Sequence, residues 1–270
     1  MQNLKITLLQ TSLHWQQPDT NRSAIEARFA DVTGKTDLIL LPEMFTTGFT
    51  MAPEGLAEEE QGETLEWMQR HSRLTGAAIC GSLIVSSPAG FRNRLYWVTP
   101  EGESTYYDKV HLFRMANEHE HYAAGERRLI IAYRGWRIMP QICYDLRFPV
   151  WARNRNDYDL LLYVANWPAP RRHAWRTLLQ ARAIENQSYV AGVNRVGRDG
   201  NGVDYSGDSL LVDFKGELMI DRAEGEVFIE TGELDGAALA DFRKAFPAWM
   251  DADAFSISGL DSQESIDGNR

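Results

Sequence analysis

Short apolar runs separated by turn-forming stretches recur along the whole chain. LKITLL (4–9), DLILL (37–41), AAICGSLIV (77–85), RLYWVT (94–99), WRIMPQIC (136–143), DLLLYVA (159–165) and SYVAGVN (188–194) are rich in β-branched, leucine and aromatic residues, and each predicts a strand. DSLLVDF (208–214) and GEVFIET (225–231) predict two later strands, with Lys215 and Gly216 as the hairpin turn between them. Several runs are almost continuously apolar, which suggests sheets buried on both faces or packed on one another. Helical spacing lies between them. Residues 20–33 start at Thr20 or Asn21, both good N-caps. Residues 59–75 carry Leu65, Met68 and Leu74 at near-helical intervals. The clearest helix is 171–187, where Trp175, Leu178, Leu179, Arg182 and Ala183 share a face and Pro168 and Pro170 stand just before it. Residues 235–245 predict a fourth helix. Together these elements predict one mixed α/β domain over residues 1–254, with layered sheets and outer helices. The polar tail 255–270 stands apart, either disordered or lying along a partner subunit.

Composition narrows the partners. The chain has 270 residues, 44% of them hydrophobic, enough for a sizeable core. A formal net charge of −10 argues against phosphate-dominated nucleic-acid binding and against docking on anionic lipid. MQNLKITLLQTSLHW does not read as a signal peptide, and no apolar run approaches the roughly 20 residues of a membrane helix. Two cysteines, Cys80 and Cys143, do not make a disulfide framework, so the expectation is a cytoplasmic protein.

Ligands in α/β sheets gather beyond the carboxyl ends of strands, so the first polar residues there matter most. DLILLP leads to Glu43, TYYDK ends in Lys109, RIMPQI leads to Cys143, and LLLYVA leads to Asn166 and Trp167. A free thiol is only about 3% ionised at neutral pH and needs a base to become a nucleophile. Glu43 could serve as that base, Lys109 could stabilise an oxyanion, and the backbone N–H of Tyr144 is a natural second donor. This chemistry requires neither metal nor organic cofactor. Each residue also has a plainer reading: a packed thiol, a loop glutamate, a surface lysine. Sequence leaves open whether Lys109 or Glu43 governs the resting charge of Cys143.

LLPEMFTTGF (40–49), YYDKVHLF (106–113) and QICYDLRFP (141–149), in that order, resemble the three catalytic segments of the nitrilase superfamily, the carbon–nitrogen hydrolases. HLFRMANEHEHYAAG (111–125), CYDLRFPVWARN (143–154), LYVANWPAPR (162–171) and ARAIENQSYVAGVNRVGRDGNG (181–202) are similar to the omega-amidase branch. The resemblance implies a four-layer αββα sandwich and a homodimer. It implies Glu43 as general base, Lys109 as oxyanion stabiliser and Cys143 as a nucleophile that forms a thioester. It adds Glu118, seven positions before Gly125, as a second glutamate that positions Lys109 or substrate, with Glu120 as competitor. The implied reaction hydrolyses the terminal amide of 2-oxo dicarboxylic acid monoamides, such as 2-oxoglutaramate and 2-oxosuccinamate, to the diacid and ammonia. A nitrilase or N-carbamoyl amidohydrolase activity is the alternative, and a non-catalytic binding protein on the same fold is a third.

The remaining motifs carry less. EHEH (118–121), with His111 nearby, reads as a polar loop with one functional glutamate rather than a metal cluster. GRDGNG (197–202) reads as a turn, since it matches neither phosphate-loop pattern. Cys80 reads as core. A small anionic substrate needs a cation, and Arg114 is the first choice, with Arg147 and Arg171 as alternatives. Phe113, Met115, Asn166 and Trp167 are the expected pocket walls.

Overall fold

In the computed structural model, which describes residues 1–257, the apolar runs assemble into two six-stranded sheets. The first sheet contains β1 (Leu4–Gln10), β2 (Leu38–Leu40), β3 (Ala78–Ser87), β4 (Gly90–Val98) and β5 (Ser104–Asp108). The second contains β6 (Ile131–Tyr133), β7 (Trp136–Ile142), β8 (Leu160–Val164) and β9 (Tyr189–Val193). Next, β10 (Val196–Arg198) and β11 (Asp204–Ser206) form a separate hairpin. Then β12 (Leu210–Val212) and β13 (Leu218–Asp221) complete the second sheet, while β14 (Phe228–Leu234) returns to the first, antiparallel to β1. The helices are α1 (Pro18–Phe29), α2 (Glu63–Thr75), the single turns α3 (Glu118–His121) and α4 (Pro149–Ala152), α5 (Arg172–Asn186) and α6 (Gly236–Ala245).

Strand periodicity builds the layers. On β2, Leu38 and Leu40 join the cluster between the sheets, whereas Ile39 and Leu41 join the one that holds α1 and α2. Successive side chains on a strand face opposite ways, so each of these runs is apolar on both faces. Trp175 and Leu179 of α5 and Leu239 of α6 pack on the far side of the second sheet. The order helices, sheet, sheet, helices is the expected αββα sandwich. Cys80 lies fully buried between the sheets, as core. Among the described residues, no helix is long and apolar enough to cross a membrane.

Several local expectations need correction. The first helix begins at Pro18 behind Gln17, because proline is pre-shaped for a first turn. Asn21 therefore lies inside the helix, and its buried amide donates to the carbonyls of His14 and Thr46, each at 2.7 Å. Leu74 faces solvent, one step off the buried stripe of α2. The turn at Lys215 and Gly216 connects β12 to β13, not to the 225–231 segment, and β14 pairs across the molecule with β1. Of the expected tail, residues 258–270 lie outside the described residues. The Phe255 carbonyl accepts from Arg155 Nη2 at 2.8 Å.

Strand direction gathers the chemistry. β1, β2 and β3 run parallel, and so do β7, β8 and β9. β5 is antiparallel to β4, itself antiparallel to β3, so β5 ends on the same side as β2. Glu43 and Lys109 thus emerge together from one sheet, opposite Cys143 and Asn166 from the other.

α5 can approach β9 closely because residue 192 has no side chain. A Cβ on Gly192 would sit 2.6 Å from Leu179 Cδ1 and 2.8 Å from Trp175 Cζ2. Gly192→Val should therefore lower stability by about 1–3 kcal/mol, the usual cost of overpacking. A denaturant midpoint that does not move would contradict this seating of α5.

Candidate active site

Lys109 follows β5 directly and is buried between two equally buried carboxylates. Its Nζ donates to Glu43 Oε1 at 2.8 Å and to both oxygens of Glu118 at 3.0 Å. Glu43 sits in the loop after β2. The Asn166 backbone N–H donates to its Oε2 at 2.8 Å, and the Asn166 side-chain amide donates to its carbonyl oxygen. Glu118 opens α3, where the Phe113 N–H donates to its Oε2 at 2.6 Å. Of the four EHEH side chains it is the buried one, so Glu120 is no competitor for contact with Lys109.

Asn93 on β4 joins the two carboxylates. Its Nδ2 donates to Glu43 Oε1 at 2.8 Å and to Glu118 Oε1 at 3.3 Å. Ser82 Oγ donates to Asn93 Oδ1 at 2.9 Å and accepts from the Met44 N–H at 2.9 Å, which pins the loop carrying Glu43.

Cys143 stands at the first position past β7 with φ near +45°, a left-handed conformation that a non-glycine residue adopts only when its surroundings impose it. Buried Asp145 imposes it. Its Oδ2 accepts from the Ile142 N–H at 3.0 Å and from Tyr107 at 2.8 Å. Its Oδ1 accepts from the His111 N–H at 3.0 Å and pairs with His111 Nδ1 at 2.7 Å. One carboxylate thereby ties the cysteine turn to the segment that carries Lys109. The thiol faces the Asn166 carbonyl, with Sγ 3.9 Å from the oxygen.

These groups sit at the floor of a cavity of about 210 Å³. Its polar end holds Lys109, Cys143 and Asn166; Phe49, Phe113, Tyr144 and Trp167 wall it.

A family model described as carbon–nitrogen hydrolase matches residues 5–244. This chain belongs to the carbon–nitrogen hydrolase family. The hydrolase is 50% identical to the omega-amidase YafV of Escherichia coli (strain K12), over 95% of this chain and 100% of that protein. It is 31% identical to a 2-oxoglutaramate amidase of Bacillus subtilis (strain 168), over 91% of this chain and 96% of that one. The solved structure of XC1258 from Xanthomonas campestris, a CN-hydrolase superfamily protein with an arsenic adduct in its active site, superposes with a TM-score of 0.93 at 47% identity, covering 96% and 100% of the two chains. Saccharomyces cerevisiae Nit3, of the nitrilase superfamily, shares the fold at a TM-score of 0.82 and 24% identity, over 91% and 95%. The hydrolase thus acts on carbon–nitrogen bonds other than peptide bonds.

Burial sets the resting charges of the hydrolase. The Cys143 thiol is pushed well above its ordinary range, first by burial and then by the Glu43 carboxylate, and Lys109 pulls the other way without prevailing. Burial alone would pull the Lys109 ammonium down, but Glu118 and Glu43 outweigh it and hold Lys109 above its usual range. Burial also pushes the Glu118 carboxyl up, against the pull of Lys109. Both shifts favour a protonated thiol beside a protonated lysine at rest.

The pocket residues divide. Phe113, Met115, Tyr144, Asn166 and Trp167 all line the cavity. Trp167 is core as well: it packs on Trp175 at 5.4 Å and donates from Nε1 to the Arg171 carbonyl at 2.9 Å. Arg114 does not line the cavity, because the turn Arg114–Ala116 carries it into solvent. Arg147 and Arg171 take that place. Arg147 lies over the Trp167 ring at 5.0 Å, Arg171 over Phe113 at 5.3 Å, and neither forms an ion pair among the described residues. The expected turn 197–202 is in part strand, since Gly197 and Arg198 belong to β10; residues 199–203 join β10 to β11, and Asp199 and Asn201 among them reach the cavity, a contribution the sequence reading missed.

The thiolate absorbance of native protein minus that of Cys143→Ala should stay near zero through a pH of about 8.5, where a free thiol is half ionised. A thiolate signal already present at neutral pH would mean that Lys109 dominates instead.

Proposed function

We propose that this hydrolase is an omega-amidase that removes the terminal amide of 2-oxo dicarboxylic acid monoamides, such as 2-oxoglutaramate and 2-oxosuccinamate, through a thioester on Cys143. The observation that carries this reading is a buried Glu43–Lys109–Glu118 cluster next to the Cys143 thiol, under a cavity that also presents two guanidinium groups with no ion pair among the described residues. The names of the omega-amidase and 2-oxoglutaramate amidase relatives supply the substrate class.

Glu43 takes the Sγ proton as Cys143 attacks the amide carbon. Deprotonation coupled to attack suits a thiol that burial keeps neutral at rest. The oxyanion forms beside Lys109 Nζ and the Tyr144 N–H, in a site where a preset charge is worth more than in water. Glu43 hands its proton to the amide nitrogen, which leaves as ammonia, then draws one from the water that opens the thioester and returns it to Cys143 Sγ as the acid is released. Glu118 holds Lys109 in place through two hydrogen bonds. Arg147 and Arg171 receive the substrate's carboxylate, and Phe113 and Trp167, over which they lie, wall its methylene chain. The same reading makes the protein a cytoplasmic homodimer.

Ammonia release from 2-oxoglutaramate tests the proposal. The native protein should release it, and Cys143→Ala should lose about 10³-fold or more of kcat. Arg147→Ala or Arg171→Ala should raise KM, on the order of tenfold for one charge-assisted hydrogen bond, with a smaller change in kcat. A native protein that leaves 2-oxoglutaramate intact but hydrolyses a nitrile or a carbamoyl compound would move it to another branch of the family. Activity retained in Cys143→Ala would refute the nucleophile.

A further inference from the structure

Arg195 is a buried cation that this mechanism does not use. It follows β9 and precedes β10, and its side chain is fully buried. It forms no ion pair among the described residues. Its Nε donates to the Val196 carbonyl at 3.1 Å, and its Nη2 donates to the carbonyls of Leu13 at 3.2 Å and Arg198 at 3.4 Å. Its Nη1 has no hydrogen-bond partner among the described residues. That nitrogen faces Gly48, where a Cβ would lie 3.4 Å from it. Gly48 precedes Phe49, a cavity wall. Burying a charge without a direct ion pair is expensive, and neutral carbonyls repay only part of the lost hydration.

The guanidinium lies under the active-site cavity. It is 4.8 Å from the centre of the Tyr205 ring, and Tyr205 lines the cavity from the β10–β11 hairpin. The same hairpin brings Asp199, whose Oδ2 accepts from the Tyr205 hydroxyl at 3.0 Å. With Lys109, Arg147 and Arg171, Arg195 is a fourth cation at or beside the cavity; Asp199 is the carboxylate that acts on it, and the two form no ion pair among the described residues.

We infer that Arg195 is a positioning and specificity residue: its charge, held by backbone carbonyls and not by an ion pair, biases the cavity toward anions, and its carbonyl hydrogen bonds hold the β10–β11 hairpin in place as the cavity wall. The inference deepens the anionic-substrate reading above and rests on it, but its test does not use the amidase reaction. Iodoacetate and iodoacetamide differ little in size and differ in charge, and both alkylate a cysteine. Their rates at Cys143, read by the mass of the peptide that carries it, report the potential in the cavity directly.

In Arg195→Met the iodoacetate rate should fall about tenfold relative to native, with the iodoacetamide rate kept within about twofold. Arg195→Lys, which keeps the charge, should restore the iodoacetate-to-iodoacetamide ratio even where the hairpin contacts are weakened. Parallel changes with both reagents would assign Arg195 a structural role only and overturn the inference, as would an unchanged ratio. Should Arg195→Met fail to fold, Arg195→Gln, which keeps a planar donor toward the backbone carbonyls, is read by the same ratio. Because ammonia release plays no part, a wrong substrate assignment and a wrong role for Arg195 would be seen separately.

Discussion

Everything in the candidate site depends on one buried ammonium held between two buried carboxylates. Taking such groups out of water costs several kcal/mol for each ion, and their attraction repays this only when geometry is good and the leftover donors and acceptors are satisfied. Here they are. Lys109 spends its donors on Glu43 and Glu118, Asn93 donates to both carboxylates, and backbone N–H groups of Phe113 and Asn166 complete them. A cluster bonded from so many sides has little freedom to reorganise. That fixity is what electrostatic catalysis requires, because the charge must already be in place when the oxyanion appears.

The fold serves this cluster in two ways. Parallel strands in each sheet bring their carboxyl ends to one edge of the sandwich, so Glu43 and Cys143 approach from opposite sheets although they are far apart in the chain. Asp145 then sets the final register. It bonds both to the cysteine turn and to the His111 segment just past Lys109, so the proposed nucleophile and the proposed oxyanion cation are positioned by one rigid piece. The left-handed conformation of Cys143 is the local cost of pointing the thiol into the cavity.

Much of this was legible in the sequence. Glu43, Lys109 and Cys143 each stand at or just past the end of an apolar run, and the three segments around them resemble one family in one order. Glu118 was legible only through the family resemblance, which implies a second glutamate before a glycine and left Glu120 as a competitor. Asn93 was not, because it lies just before the expected strand RLYWVT (94–99) and not at the carboxyl end of any apolar run. Its role depends on the β3–β4 register, which places it opposite Ile84 and beside the Glu43 loop. Arg114 was favoured on its distance along the chain from Lys109, but a single turn of 3-10 helix sends it outward. Arg147 and Arg171 reach the cavity from other segments. The pairing of β14 with β1, and the cavity wall built by β10 and β11, are long-range arrangements that no local pattern encodes.

The most direct test of the central claim is kcat/KM for 2-oxoglutaramate in Lys109→Met, measured on protein shown to be folded. Removing a single preset oxyanion donor costs about 10²–10³-fold in other enzymes, and here it also strips two buried carboxylates of their cation. A loss of at least that size is expected. A folded variant that keeps more than about a tenth of native kcat/KM, a difference under ~1.4 kcal/mol, would contradict the claim that the reaction depends on this buried ion cluster.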